Sequence, residues 1–419
     1  MTSRRNRNHR AALPFIFVTL VLDVSAFGIV APVLPQLVQH IGRIGPAQTA
    51  QLFGLFATTF AAAQFLASPM HGAFSDRFGR RPVILAANFG LGVDYIILAA
   101  APTIPWLFLG RLIAGICAGG MSAAYAYIVD VSPPEKRAAT FGFVSAAVGI
   151  GGAFAPLLGG YLGSMDLRAP FWAAAGLSLA NGLYGAIVLP ESLPAERRST
   201  LKWTMINPVG AVRGVLVANP RIITVIVAIM LFALGNQAIN AISVIYTAQR
   251  YHWTPSDRGL LLAAFGLGAV VVQGGLTPFA IKRLGEWRTM VVGILGQILG
   301  VLVLGLAPTG GWYWAGSAAM ILGYAAIPAW QSLLSKMVSP AQQGRLAGAN
   351  MSIRSLSLMV GPIVFTQVLA IGLKSGHEAL TGLPFLLTGA LWIIGLPLAA
   401  RGLRAAGAAA SEEGSNAIA

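Results

Sequence analysis

The sequence predicts an all-α membrane protein of about twelve transmembrane helices, arranged as two pseudo-symmetric six-helix halves. Three observations carry this expectation: composition, the shape of the apolar runs, and the placement of Lys and Arg. Of 419 residues, 56 % are hydrophobic and only 10 % charged. Mean hydropathy is +0.73. A soluble domain carries roughly 25 % charged residues, so most of this chain needs lipid as its solvent. In hydrocarbon the backbone must satisfy its own hydrogen bonds, which leaves helices or a closed barrel. Barrel strands alternate polar and apolar residues. Runs such as ITVIVAIMLFAL (223–234) do not alternate, so helices are expected. At about 20 residues per span, the chain holds about twelve.

Taken in order, the spans are placed near 13–36, 49–73, 82–101, 104–129, 138–163, 170–190, 220–248, 257–281, 289–307, 311–337, 346–372 and 381–403. Residues 13–36 contain Asp23 and lack a small-residue cleavage site, so they read as a retained first span and not a signal peptide. The polar stretch 191–219 divides an N-terminal half (1–190) from a C-terminal half (220–404). Residues 405–419, AAGAAASEEGSNAIA, read as a disordered tail.

The charge of +15 is one-sided. With the N-terminus inside, the outer loops hold only Arg43, Arg168, Arg250, Arg258 and Lys374 of the 28 Lys and Arg. This bias puts both termini in the cytoplasm. The basic surface then faces anionic lipid headgroups, so no nucleic-acid partner is needed. The single cysteine, Cys117, lies in an apolar run and fits a small packing residue. No metal-ligand cluster, phosphate-binding loop or nucleophile elbow is present. The expectation is a protein without cofactor or metal, and not an enzyme.

Each half has a short basic turn after its second span: GAFSDRFGRRPV (72–83) and TPFAIKRLGEWR (277–288). Paired halves with a substrate site near the midplane are a recurrent carrier plan.

Ionisable groups within spans are costly and mark function by default. Asp23 lies about ten residues into span 1, or roughly 15 Å deep, with Pro32 and Pro35 following. It is a candidate proton and substrate site. Asp94 and Arg111 have matching offsets from the outer ends of spans 3 and 4, which puts them at one depth as a buried ion pair. Protonating Asp94 would release Arg111, a basis for proton coupling. The other charge within a span is Arg354. Among uncharged polar residues, Gln64, Asn88, Asn236, Asn240, Gln273 and Gln297 are candidate substrate contacts. Phe27, Tyr125, Phe265 and Trp330 are candidate apolar walls. In the 72–83 turn, Asp76, Arg77, Gly79, Arg80 and Arg81 read as a conformational latch with Asp130 as partner. Span 5, AAVGIGGAFAPLLGGYLG (146–163), is dense in small residues. Pro156, Gly159 and Gly160 there allow close approach and bending during gating.

These segments resemble a known family. GAFSDRFGRRPVIL (72–85) looks like the signature loop of the major facilitator superfamily. LFLGRLIAGICAGG (107–120) resembles its span-4 arginine motif, and GGAFAPLLGGYLG (151–163) its span-5 antiporter motif. VLDVSAFGIVAPVLPQL (21–37) and GVDYIILA (92–99) resemble the bacterial tetracycline efflux proteins in particular. The resemblance covers most of residues 15–190. It implies the major facilitator fold and a drug:proton antiporter. Asp23, Gln64, Asp94 and Arg111 then match embedded positions that matter for transport. Asp76 and its arginines match the gating loop.

The second half departs from that pattern. Tetracycline exporters carry an acid in span 9 and a histidine in span 8. The alignment places Gln297 and Ala269 there. Gln297 cannot titrate, and Ala269 cannot bind a metal–drug complex. Proton coupling then falls to Asp23, Asp94 and Arg111. The expected function is proton-coupled export of a small amphipathic, tetracycline-like compound from a bacterial inner membrane, a drug-efflux and antibiotic-resistance role. The alternative is a carrier of a different metabolite, nutrient or siderophore on the same fold.

Overall fold

The computed structural model describes residues 2–132, 137–198, 223–336 and 343–416. Helices fill nearly all of it, and the described residues contain no strand. The first span is α1 (Thr2–Val30) and α2 (Leu34–Gly42), bent by 44°. Pro32 and Pro35 explain the break, because proline removes backbone donors and clashes with the preceding turn. Next come α3 (Pro46–Phe78), α4 (Arg80–Ala100), α5 (Ile104–Cys117), α6 (Gly120–Val131), α7 (Arg137–Met165) and α8 (Ala169–Val188). The second half holds α9 (Ile223–Arg250), α10 (Pro255–Val271), α11 (Thr277–Leu306), α12 (Gly310–Gly323), α13 (Ala326–Lys336), α14 (Gln343–Lys374) and α15 (Leu383–Asn416).

Among the described residues, ten helical stretches are long and apolar enough to cross a membrane, or eleven with the bent first pair. One of the ten, Pro255–Leu306, runs 52 residues. A straight helix of that length would reach about 78 Å, over twice the hydrocarbon thickness. It breaks at Gly285, where φ is 77° and ψ 164°. Dividing it there gives twelve spans. A single π-helical turn, Val272–Leu276, lies ahead of that break; it contains Gln273.

The two basic turns share a backbone device. Gly79 sits at φ 106°, ψ 161°, close to the Gly285 values. Only glycine enters this region without strain. An arginine lies over a phenylalanine beside each: Arg77 over Phe78 at 5.4 Å and Arg283 over Phe279 at 5.1 Å.

The chain forms two compact units that do not coincide with contiguous halves. Unit 1 is Met1–Gly45, Leu55–Ile206 and His252–Leu267; unit 2 is Pro46–Gly54, Asn207–Tyr251 and Gly268–Ala419. In unit 1, α1 packs on α7 and α8, and α4 on α5 and α8. Ile16, Leu20, Ile84, Tyr127 and Ile128 form one apolar cluster there. In unit 2, α9 packs on α14 and α15, and α11 on α12. Its cluster includes Val225, Ile229, Leu334 and Ile353.

The last helix continues to Asn416. One expectation needs correction. Arg258, expected in an outer loop, lies in the first turn of α10 and is fully buried. Most of the linker 191–219, and Lys136, fall outside the described residues.

Candidate functional site

Asp23 projects from the middle of the α1 span and is half-buried. Asn181, on α8, donates its Nδ2 to Asp23 Oδ1 at 2.8 Å and to the Thr19 carbonyl at 3.1 Å. Asn181 is fully buried. Sequence reasoning missed it. Its signal was a lone amide in the apolar run AAAGLSLANGLYGA (173–186), where a buried polar group must find an interhelical partner.

Asp94 on α4 and Arg111 on α5 form a direct pair, with Arg111 Nη2 donating to Asp94 Oδ2 at 2.7 Å. Asp94 is 0 % exposed and Arg111 5 %. The pair depends on Gly110. A Cβ at that position would stand 2.7 Å from Asp94 Oδ1 and 3.0 Å from Leu98 Cδ2, so only glycine leaves the carboxylate its place. Asp94 and Asp23 thus differ in kind: one is sealed against a cation, the other held by a neutral amide with part of its surface open.

The polar side chains of the 72–83 turn gather on Arg80. Its Nη1 reaches Asp76 Oδ1 at 2.5 Å and Ser75 Oγ at 3.0 Å, while Nε donates to Asp130 Oδ2 at 3.0 Å. Arg81 Nη2 donates to the Ala186 carbonyl at 2.6 Å. Arg77 lies instead over Phe78. Glu191, read from the sequence only as part of a polar break, completes the cluster. Its carboxylate accepts from the backbone N–H of Arg80 at 2.8 Å and of Arg81 at 3.2 Å. An acid there satisfies the free N–H groups of the α4 N-terminus and meets its positive dipole end.

Small residues on α7 admit close neighbours on two sides of unit 1. A Cβ at Gly159 would fall 1.9 Å from the Ile29 carbonyl of α1. A Cβ at Gly160 would fall 2.5 Å from the Pro255 carbonyl and 3.1 Å from Gly259 Cα of α10. Gly259 answers in kind, its Cβ position being 2.3 Å from the Pro156 carbonyl. Ser164 Oγ and Ser256 Oγ share a hydrogen bond at 2.9 Å along the same seam. Gly259 has no sequence signal by itself; its meaning comes from facing Gly160.

Unit 2 encloses a cavity of about 230 Å³. Phe232 and Trp330 form an edge-to-face aromatic pair on its wall, with ring centroids 5.9 Å apart. Asn236, Asn240 and Gln297 line it, as three of the expected contacts. Gln237, Gln331, Asn350 and Arg354 add to the lining. Gln297 Nε2 donates to the Gly323 carbonyl at 3.0 Å, and a Cβ at Gly323 would meet Gln297 Cγ at 2.5 Å. Three expected contacts lie elsewhere. Gln64 is half-buried on α3, Asn88 is buried on α4, and Gln273 sits in the π-helical turn. Among the described residues no cluster of His, Cys, Asp or Glu could hold a metal ion.

The model of the Major Facilitator Superfamily matches residues 16–362. The chain is 36 % identical over 398 residues to the class C tetracycline resistance protein of Escherichia coli, covering 93 % of this chain and 97 % of that protein. It is 33 % identical over 382 residues to the class G tetracycline resistance protein of Vibrio anguillarum, covering 91 % and 95 %. Among solved structures, the nucleoside transporter NupG aligns with a TM-score of 0.76 at 16 % identity, covering 93 % of this chain and 98 % of that one; that likeness speaks to the fold alone. A model match across most of the chain, twelve spans and the glycine-pinned basic turns agree: this multi-pass membrane protein belongs to the Major Facilitator Superfamily.

Proposed function

We propose that the chain is a proton-coupled antiporter that exports a small amphipathic, tetracycline-like compound by alternating access. One observation carries this most directly: Asp23, a carboxylate inside the first span, remains partly open and is held by a neutral amide. A carboxylate in that setting can gain or lose a proton without tearing a salt bridge. The relatives named as tetracycline resistance proteins, matched over nearly their full length, support drug efflux as the direction of transport.

Proton binding at Asp23 and substrate binding oppose each other, so each favours a different facing state. The Asp94–Arg111 pair holds α4 against α5 and conditions the charge felt nearby. The Arg80–Asp76–Asp130 cluster, with Glu191, stabilises one state and opens in the other. The chain sits in a bacterial inner membrane with both termini cytoplasmic and its basic loops against anionic lipid. Reconstituted into vesicles with an imposed pH gradient, the protein should drive uphill movement of tetracycline. Collapsing the gradient with an ionophore should abolish accumulation. Gradient-independent flux of the same size would instead make the chain a facilitated carrier.

The α7–α10 seam gives a second expectation. Gly160→Val places branched carbons against the Pro255 carbonyl, a backbone atom that cannot swing aside. Overpacking of this kind costs about 1–3 kcal/mol, so transport should drop about tenfold or more in flux normalised to inserted protein. Gly176→Val is the control, because a Cβ at Gly176 meets nothing within 4 Å. Equal flux in the two variants would remove the seam from the transport cycle.

A further inference from the structure

The cavity in unit 2 has a chemical character of its own. Its polar lining is made of carboxamides with one cation, Arg354. No carboxylate lines it among the described residues. Arg354 forms no ion pair among those residues and its side chain is exposed, so its guanidinium is available to a ligand. Phe232 and Trp330, set edge to face at 5.9 Å, offer an apolar aromatic wall on which one ring face can stack a planar group. Carboxamides donate and accept and suit oxygens of either kind. A guanidinium donates only, in a planar fork that fits a carboxylate, an enolate or a similar oxyanion. In a partly desolvated recess it repels a cation, and the amides supply no compensating charge. At about 230 Å³ the space is below the roughly 300–1,000 Å³ of sites that hold a whole drug-sized molecule. It fits one planar, oxygen-bearing end of a larger compound, or a small aromatic acid entire.

We propose that this cavity is a binding site for the planar oxyanionic end of the transported compound, and that Arg354 is the residue that selects an anion over a cation there. The proposal rests on the transporter reading above and deepens it by naming the charge class of the cargo. On the orientation set out above, Arg354 is about eight residues into its span (346–372) from the cytoplasmic side, roughly 12 Å at helical rise. A fixed positive charge at that depth draws anions toward the mouth of the recess. Gln297, hydrogen-bonded to the Gly323 carbonyl, keeps the far wall neutral at every pH.

The test is direct binding to purified full-length protein with two probes of matched shape, 2-naphthoate and 2-naphthylmethylammonium. Affinity is read by calorimetry, with quenching that is lost in Trp330→Phe locating the probe. Wild type should bind the naphthoate more tightly than the ammonium. Arg354→Gln should weaken naphthoate binding about ten- to hundredfold, the loss expected for one charged hydrogen bond. Arg354→Lys should restore part of it, and the ammonium probe should bind Arg354→Gln no worse than wild type. Unchanged melting temperature in Arg354→Gln separates recognition from folding. Tighter binding of the ammonium to wild type, or unchanged naphthoate affinity in Arg354→Gln, would overturn the proposal. Vesicle flux under a pH gradient is scored separately: naphthoate binding through Arg354 without gradient-driven transport of any compound refutes the antiporter reading and leaves the site standing.

Discussion

Asp23→Asn abolishes uphill transport and leaves the protein folded. The amide is nearly isosteric with the carboxylate and its oxygen can still accept from Asn181 Nδ2, so the α1–α8 contact at 2.8 Å survives. What disappears is the exchangeable proton. Accumulation in vesicles should fall to the level of protein-free controls, while downhill exchange of preloaded substrate persists. Melting temperature should stay at or above that of wild type, since a neutral amide at a half-buried position in a span carries less desolvation cost than a charge. Retained accumulation against a gradient would take Asp23 out of the coupling step altogether.

Asp94→Asn should behave in the opposite way, with its main effect on stability. The substitution strips the counter-charge from Arg111, which is 5 % exposed and donates to Asp94 Oδ2. Removing one partner of a buried ion pair typically costs about 3–5 kcal/mol, because the other charge stays buried and unpaired. Thermal unfolding in detergent, followed by tryptophan fluorescence, should show a clear drop. The double variant Asp94→Asn with Arg111→Gln should recover most of it, since both charges are then gone. Wild-type stability in the single variant would mean that Arg111 has another acceptor within reach. The pair of experiments separates two carboxylates that look alike in sequence.

Much of this arrangement was legible before any coordinates. Span lengths follow from hydropathy because lipid forces each apolar run to close its own hydrogen bonds. The break after Val30 followed from Pro32 and Pro35. The meeting of Asp94 with Arg111 was expected from equal offsets on antiparallel neighbours, a one-dimensional count that helical rise turns into depth. The two basic turns were visible as a pair, while the shared positive φ of Gly79 and Gly285 appeared only in the backbone. Other features were hidden for a common reason: each is a contact between residues far apart in sequence. Asn181 meets Asp23 across 158 positions, and Glu191 caps a helix that starts 111 residues earlier. Gly259 is a single glycine until Gly160 is found against it. Arg258 counted as an outer-loop charge, yet the first turn of α10 buries it completely.

By itself the sequence determined the solvent, the helices, the count of spans and which charges would be expensive. These are properties of single segments, and the cost of exposing a backbone or a charge to lipid is set locally. The tertiary structure decided which expensive charge is sealed and which is open. It also decided which amides share one recess with Arg354 and which small residues touch. Those outcomes depend on how helices rotate and pack against one another, and at the scale of one side chain no hydropathy pattern specifies a rotation.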